Sequence, residues 1–96
     1  MISKKNLKNL SFLIYGLGLT GKSVVNFFIK NNIHNFKVWD DHNKDLYKKN
    51  RASNLLKTLH RVDYIILSPG VSLAKSKNKR NLIKFKKKII TDLDIF

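Results

Sequence analysis

Short apolar runs separated by polar, lysine-rich stretches set the rhythm of this chain. Phe12-Leu-Ile-Tyr15 is apolar at every position and leads into Gly16, the pattern of a strand buried on both faces. Over residues 20–31 the spacing changes. Val24 and Phe28, and Val25 and Ile29, recur at four residues, which lays one apolar stripe along a helix. Phe36-Lys-Val-Trp39 reads as a second strand ending at Asp40-Asp41, with Trp39 expected in the core. Residues 43–61 are polar, with Leu46, Leu55, Leu56 and Leu59 as candidate anchors. They read as one or two short helices, Ser53 being the candidate N-cap of the second. Tyr64-Ile-Ile-Leu67 is a further buried strand, closed by Ser68-Pro69-Gly70. A basic helix is expected over 78–87 with Leu82 and Phe85 facing inward, and Ile89-Ile90 starts a last strand.

Strands alternating with helices in this way form βαβ units, so the pattern predicts an α/β fold with a parallel sheet. Ligands of such sheets bind beyond the C-terminal ends of the strands. The polar or glycine-containing segments 16–21, 40–42 and 68–70 all lie at that edge. At 96 residues the chain has the size of one domain, residues 1–96. It has no Cys, which excludes a disulfide framework, a thiolate nucleophile and a Cys-based zinc site. No apolar run approaches the roughly 18 residues of a membrane span, and the first residues lack the pattern of a secretory signal. A cytoplasmic protein with no membrane partner is the expectation.

Gly16-Leu-Gly-Leu-Thr-Gly21 matches G-x-G-x-x-G between a strand and a helix, the context in which that spacing has meaning. Gly16 would permit the tight turn, Gly18 the close approach of a phosphate, and Gly21 the packing of helix on strand. Free N–H groups near Leu19 and Thr20, at the positive end of the helix dipole, would hold a diphosphate. The same stretch also spells a P-loop, with Gly21-Lys22-Ser23 five residues after Gly16. Against that reading, a P-loop leaves Gly18 unexplained, and Tyr64-Ile-Ile-Leu67 ends in Ser-Pro-Gly rather than in an Asp placed for magnesium. About one residue in six is Lys, so a Lys after Gly21 carries little information.

Asp40 lies 19 residues after Gly21, where a carboxylate can accept hydrogen bonds from a ribose or a base. Asp41 is expected to offer its backbone or to be solvated. Gly70 lets the backbone approach a ligand from the wall opposite the glycine turn. His34, His42 and His60 lack metal-like spacing and read as solvated surface. Asp92 and Asp94 form a carboxylate pair with no evident pocket, and no Ser/His/Asp arrangement is visible.

Taken together, Gly16-Leu-Gly-Leu-Thr-Gly21, Val38-Trp-Asp40, Leu67-Ser-Pro-Gly-Val71 and Thr91-Asp-Leu-Asp-Ile-Phe96 resemble the N-terminal domain of MurD-like ligases, in the Mur ligase family of peptidoglycan synthesis. That family reads close to G-L-G-x-T-G-x-S, a strand ending in Asp, S-P-G-[VI] and [GT]-[DE]-[IL]-[ED]-L-F at these points. The likeness runs from about Phe12 to Phe96. It implies a Rossmann-like three-layer domain with a mostly parallel sheet of four to five strands, binding the UDP part of UDP-N-acetylmuramoyl-L-alanine. The backbone around Leu19 and Thr20, in the turn built by Gly16, Gly18 and Gly21, would hold the diphosphate. Gly70 would line the opposite wall, and Asp40 with the backbone of Asp41 would read the uracil.

In the family, ATP with Mg2+ binds a central domain through its own P-loop, and D-glutamate binds mainly through a C-terminal domain. The resemblance therefore implies that residues 1–96 are the N-terminal part of a larger ligase, with no catalytic residue, metal or cofactor in this part. The parent reaction would form an acyl phosphate from ATP, which the amine of D-glutamate then attacks. Two departures stand out. His42 occupies a place where the family often has Arg or Lys, and the segment 43–62 is short, which reduces one expected strand to a few residues around Arg51-Ala52. An NAD(P)-binding Rossmann module is the alternative binding function.

The formal charge is +14, from 20 Lys and Arg against 6 Asp and no Glu, which raises the question of nucleic acid. Only 3 of the 20 are Arg, whereas forked recognition of phosphate favours Arg. Lys, Asn and Ile, all with A- and T-rich codons, make up 38 of the 96 residues. The charge thus reads as composition bias on a solvated surface, and a dedicated nucleic-acid function is not expected. Its physical consequence is self-repulsion. The melting temperature is expected to rise with ionic strength in a series of thermal melts; a value that stays constant between low and high salt contradicts this.

Overall fold

A computed structural model describes residues 2–71 and 74–96. The unbroken apolar run forms β1 (Phe12–Tyr15), and all four of its residues are buried. A strand with no polar position to turn to water has to lie inside a sheet. Accordingly β2 (Phe36–Trp39) and β3 (Tyr64–Leu67) flank it, and β4 (Ile89–Ile90) completes the order β2-β1-β3-β4. Every pairing is parallel. β2 is an edge strand, and its buried–exposed alternation leaves Lys37 in water. The shortened fifth strand survives as a single parallel bridge between Val38 and Arg51.

Helices cover both faces, giving the three-layer Rossmann-like α/β domain that the sequence pattern and resemblance predict. On one face α2 (Leu19–Lys30) buries Val24, Val25 and Phe28 against Phe12, Ile14 and Ile66. The Phe28 ring lies 5.1 Å from Phe12 and 5.5 Å from Phe36, within the range of favourable aromatic pairs. The stripe is narrower than the four-residue spacing suggests, because Ile29 is half exposed. The other face packs α3 (Leu55–Arg61) and α4 (Lys79–Lys84) against Leu13, Tyr15 and Ile65 through Leu55, Leu59 and Leu82. Leu56, one of the candidate anchors, is exposed instead. Phe85 and Trp39 are only partly buried, packed at the edge of this second cluster.

Three local features differ from expectation. A one-turn helix α1 (Lys4–Leu7) precedes the sheet, capped by the Ser3 hydroxyl and anchored by fully buried Leu7. Four residues carry too little periodicity to be read from sequence. The N-cap of α3 is Asn54, whose Oδ1 accepts from the Lys57 N–H at 3.1 Å, rather than Ser53. The segment before it forms a 3-10 turn, Lys48–Asn50, in place of a first helix.

The start of α2 sets the distance between helix and sheet. Gly21, in its first turn, is buried, and a Cβ there would stand 2.0 Å from the Gly16 carbonyl oxygen. Backbone would have to move. A Cβ on Gly18 would meet nothing within 4 Å. Gly21→Ala is therefore expected to destabilise the domain by about 2 kcal/mol or more, outweighing the roughly 1 kcal/mol by which Ala is the better helix former. Gly18→Ala, at the N-cap of α2, should cost less than about 1 kcal/mol. Urea unfolding of the two variants checks the contrast.

Candidate functional site

Register brings the site together. Tyr15 pairs with Trp39 on one side and with Leu67 on the other, so β1, β2 and β3 end level. Gly16, Asp40 and Ser68 consequently leave the sheet at one height. The chain passes from β1 to β2 on one side and then returns across β1 to β3. That change of winding direction opens a crevice at the carboxyl ends of the strands, where ligands of parallel sheets bind.

The three exits are locked to one another. The Gly16 N–H donates to the Trp39 carbonyl at 2.7 Å, and the Ser68 N–H to that of Tyr15 at 3.1 Å. The Ser68 hydroxyl donates to the Gly16 carbonyl at 2.9 Å. Ser68, 5% exposed, is the buried polar side chain of the core. Above this floor lies a cavity of about 550 Å³, within the usual size range of small-molecule sites. Its walls include Gly16, Gly18, Leu19 and Thr20 from the glycine turn, Asp40 and Asp41 from β2, and Gly70 and Val71 after β3. No side chain caps the N-terminus of α2, which opens into this space. Such a terminus presents unpaired N–H groups and a partial positive charge to an anion.

The two aspartates divide their work. Asp40 Oδ2 accepts from the Leu17 N–H at 2.7 Å, and its Oδ1 from the N–H groups of His42 and Asn43, both at 2.9 Å. It thereby ties the glycine turn to the turn after β2. Burial works to raise its carboxyl, but the bonds from Leu17, His42 and Asn43, with the nearby His42, hold it below the ordinary value. The Asp41 side chain is neither solvated nor idle, contrary to expectation. Its Oδ1 accepts from the Tyr15 hydroxyl at 2.6 Å, Trp39 Nε1 at 3.1 Å and Asn78 Nδ2 at 3.0 Å; its Oδ2 accepts from the Ser76 hydroxyl at 2.9 Å. Here too burial raises the carboxyl, and bonds from Tyr15, Ser76, Trp39 and Asn78 together hold it low. Burial and the Asp41 bond push the Tyr15 phenol up to about 12.

Of the eight binding residues predicted from sequence, seven line the cavity: Gly16, Gly18, Leu19, Thr20, Asp40, Asp41 and Gly70. Gly21 lies beneath it, packed on Gly16. Lys22 and Ser23, the distinguishing residues of a P-loop, stand away from the cavity, the Ser23 hydroxyl bonding back to the Leu19 carbonyl at 3.0 Å. His42 is exposed and also lines the cavity, while His34 and His60 are exposed elsewhere. Among the described residues no three metal-capable side chains cluster, and no helix is long and apolar enough to cross a membrane. Asp94 closes a capping box with Thr91 at the chain's end, away from the cavity. Residues not anticipated are Tyr15, Lys75, Ser76, Lys77 and Asn78, whose local sequence offers no signal. Ser68 belongs to the segment 68–70 already expected at this edge, though not for the bond its hydroxyl makes.

Fold and cavity together define a Rossmann-like domain with a cavity at the carboxyl edge of its parallel sheet. The family profile "Mur ligase MurD-like, N-terminal domain" matches residues 10–90, and the chain belongs to that family. Among its relatives, the UDP-N-acetylmuramoylalanine–D-glutamate ligase of Francisella philomiragia is 37% identical over 91 residues, 95% of this chain and 20% of that protein. The ligase of the same name from Francisella tularensis subsp. tularensis is 39% identical over 84 residues, 88% of this chain and 18% of that protein. The one from Buchnera aphidicola subsp. Schizaphis graminum is 40% identical over 68 residues, covering 62% and 15%. The chain thus spans about a fifth of the length of the relatives it matches.

These pKa directions fix the pH dependence of the network. The raised phenol means that Tyr15 contributes its stability fully below pH 10.0 and loses it as pH rises through about 12. The lowered carboxyls of Asp40 and Asp41 contribute above the ordinary value of 3.8 and lose their effect as pH falls through their depressed values. Tyr15→Phe is expected to lower stability at neutral pH by about 1.5–3 kcal/mol, the worth of a hydrogen bond to a charged group. Its deficit relative to wild type should be constant up to about pH 10 and smaller at pH 11. Urea unfolding at pH 7, 9 and 11 measures it; a deficit that is independent of pH contradicts the assignment.

Proposed function

We propose that this chain is the substrate-nucleotide-binding domain of an ATP-dependent UDP-N-acetylmuramoylalanine–D-glutamate ligase in peptidoglycan precursor synthesis. Its cavity would hold the UDP end of UDP-N-acetylmuramoyl-L-alanine. One observation carries the reading: the level ends of β1, β2 and β3 surround a cavity into which the uncapped N-terminus of α2 opens, beside a glycine with free space above it. The fold has no steric need for glycine at position 18, so the smallness of that residue matters only to what enters the cavity.

In this reading the N–H groups of Leu19 and Thr20 hold the diphosphate, with Gly18 allowing its close approach and Gly70 lining the facing wall. Asp40 and the backbone of Asp41 stand at the base end. Asp40 Oδ2 takes a single N–H from the protein, which leaves it able to accept one more from ribose or uracil. The family match and the names of the relatives support the substrate. ATP with Mg2+ and D-glutamate belong to the other domains of the parent ligase. The contribution of this one is to fix the substrate's nucleotide so that its distant carboxyl is presented elsewhere.

The test is isothermal titration of the chain with UDP-N-acetylmuramoyl-L-alanine, NADH and a short DNA duplex, at low and moderate salt. Saturable binding of the UDP ligand is expected, weakened at least about tenfold, or 1.4 kcal/mol, by Gly18→Val with little change in melting temperature. Asp40→Ala should also lose it. Tighter binding of NADH, or of DNA with a steep salt dependence, would sink the reading.

A further inference from the structure

The cavity wall carries a charge problem. Asp40 and Asp41 both line it, and both are held as carboxylates by the hydrogen bonds they accept. Two fixed negative charges beside a site for a diphosphate work against binding. Of the 17 lysines in the chain, two line the cavity, Lys75 and Lys77, on the turn before α4. Lys22, the lysine nearest the glycine turn in sequence, does not.

That turn is held in place by Asp41. The Ser76 hydroxyl donates to Asp41 Oδ2 at 2.9 Å and lies 3.1 Å from the Tyr15 hydroxyl, while the Asn78 N–H donates to Ser76 Oγ at 3.2 Å. Asn78 Nδ2 reaches both the Tyr15 hydroxyl and Asp41 Oδ1, each at 3.0 Å. Asn78 is the N-cap residue of α4, a position where Asn ordinarily caps its own helix, yet its side chain makes no capping bond. It is committed to Asp41 instead. The residues between and before these two anchors are Lys77 and Lys75, both exposed at the cavity mouth.

We infer that Asp41 is a positioning residue which, through Ser76 and Asn78, holds Lys75 and Lys77 at the cavity mouth, where their ammonium groups take up the anionic part of the ligand. The ligand class is a nucleoside diphosphate, so the inference rests on the nucleotide-binding reading above and adds its phosphate-side recognition. Lysines serve here as mobile point charges rather than forked donors, which suits the rim of an open site. One carboxylate thus both burdens the site with negative charge and places two positive charges against it.

The test is titration with UDP, and with uridine followed by NMR chemical shifts, on three proteins of verified melting temperature. These are the wild type, Lys75→Gln/Lys77→Gln, and the charge-matched control Lys86→Gln/Lys87→Gln, whose lysines lie on the turn after α4 and off the cavity. The first double variant is expected to bind UDP on the order of tenfold more weakly and uridine unchanged, while the control shifts UDP binding less than about twofold. Asn78→Ala should weaken UDP binding by about threefold and add nothing further in the Lys75→Gln/Lys77→Gln background. Equal losses in the two double variants would show that only the overall charge matters and overturn the proposal while leaving nucleotide binding intact. Absence of UDP binding by the wild type would overturn both.

Discussion

At the end of β1 the chain turns through Gly16, and almost every part of the site is referred to that residue. Its φ of +94° is a conformation that side-chain-bearing residues rarely adopt, and a Cβ there would meet Val71 Cγ2 at 2.5 Å. Its N–H is bound to β2 through Trp39, and its carbonyl to the exit of β3 through Ser68. The same carbonyl is the surface on which Gly21 seats the first turn of α2. One peptide therefore sets the separation of three strand exits and one helix. The cavity is the space left between them.

Around that turn the electrostatics follow from hydrogen bonding rather than from net charge. The domain carries +14 overall, yet the side chains that organise its site are two aspartates. Each is stabilised as an anion by several donors, which outweigh the cost of partial burial. Asp40 ties two turns together within the floor, and Asp41 ties the floor to the turn before α4. The lysines matter only where this framework puts them. Among the described residues the one ion pair joins exposed Lys48 and Asp45 at 3.4 Å, an arrangement worth little to stability.

Membership of the MurD-like N-terminal family gives this construction its context. On the function proposed above, a domain that holds its substrate by a nucleotide far from the reacting carboxyl needs rigidity more than reactivity. Short strands of equal register, a helix seated on backbone and a satisfied polar network all serve rigidity. Among the described residues no buried side-chain polar atom lacks a partner.

Much of this was legible in the residues alone. The unbroken runs Phe12–Tyr15 and Tyr64–Leu67 could only be interior strands, and the glycine spacing after the first of them located the turn, the helix start and four of the cavity's residues; the ends of the next two strands supplied Asp40, Asp41 and Gly70. These are local properties, because strand burial, helix period and turn chemistry act over a few neighbours. The helix α1, the Asn54 cap and the exposure of Ile29 and Leu56 were not legible, since each depends on what packs nearby. Least legible was the Asp41 network, in which the bonds that join Tyr15 and Asp41 to one another and to Ser76 and Asn78 span 26 to 63 residues. Sequence decided that an aspartate would follow β2. Only the level register of β1 beside β2, and the return of the chain across them after β3, decided that its carboxylate would meet a tyrosine, a serine and an asparagine there.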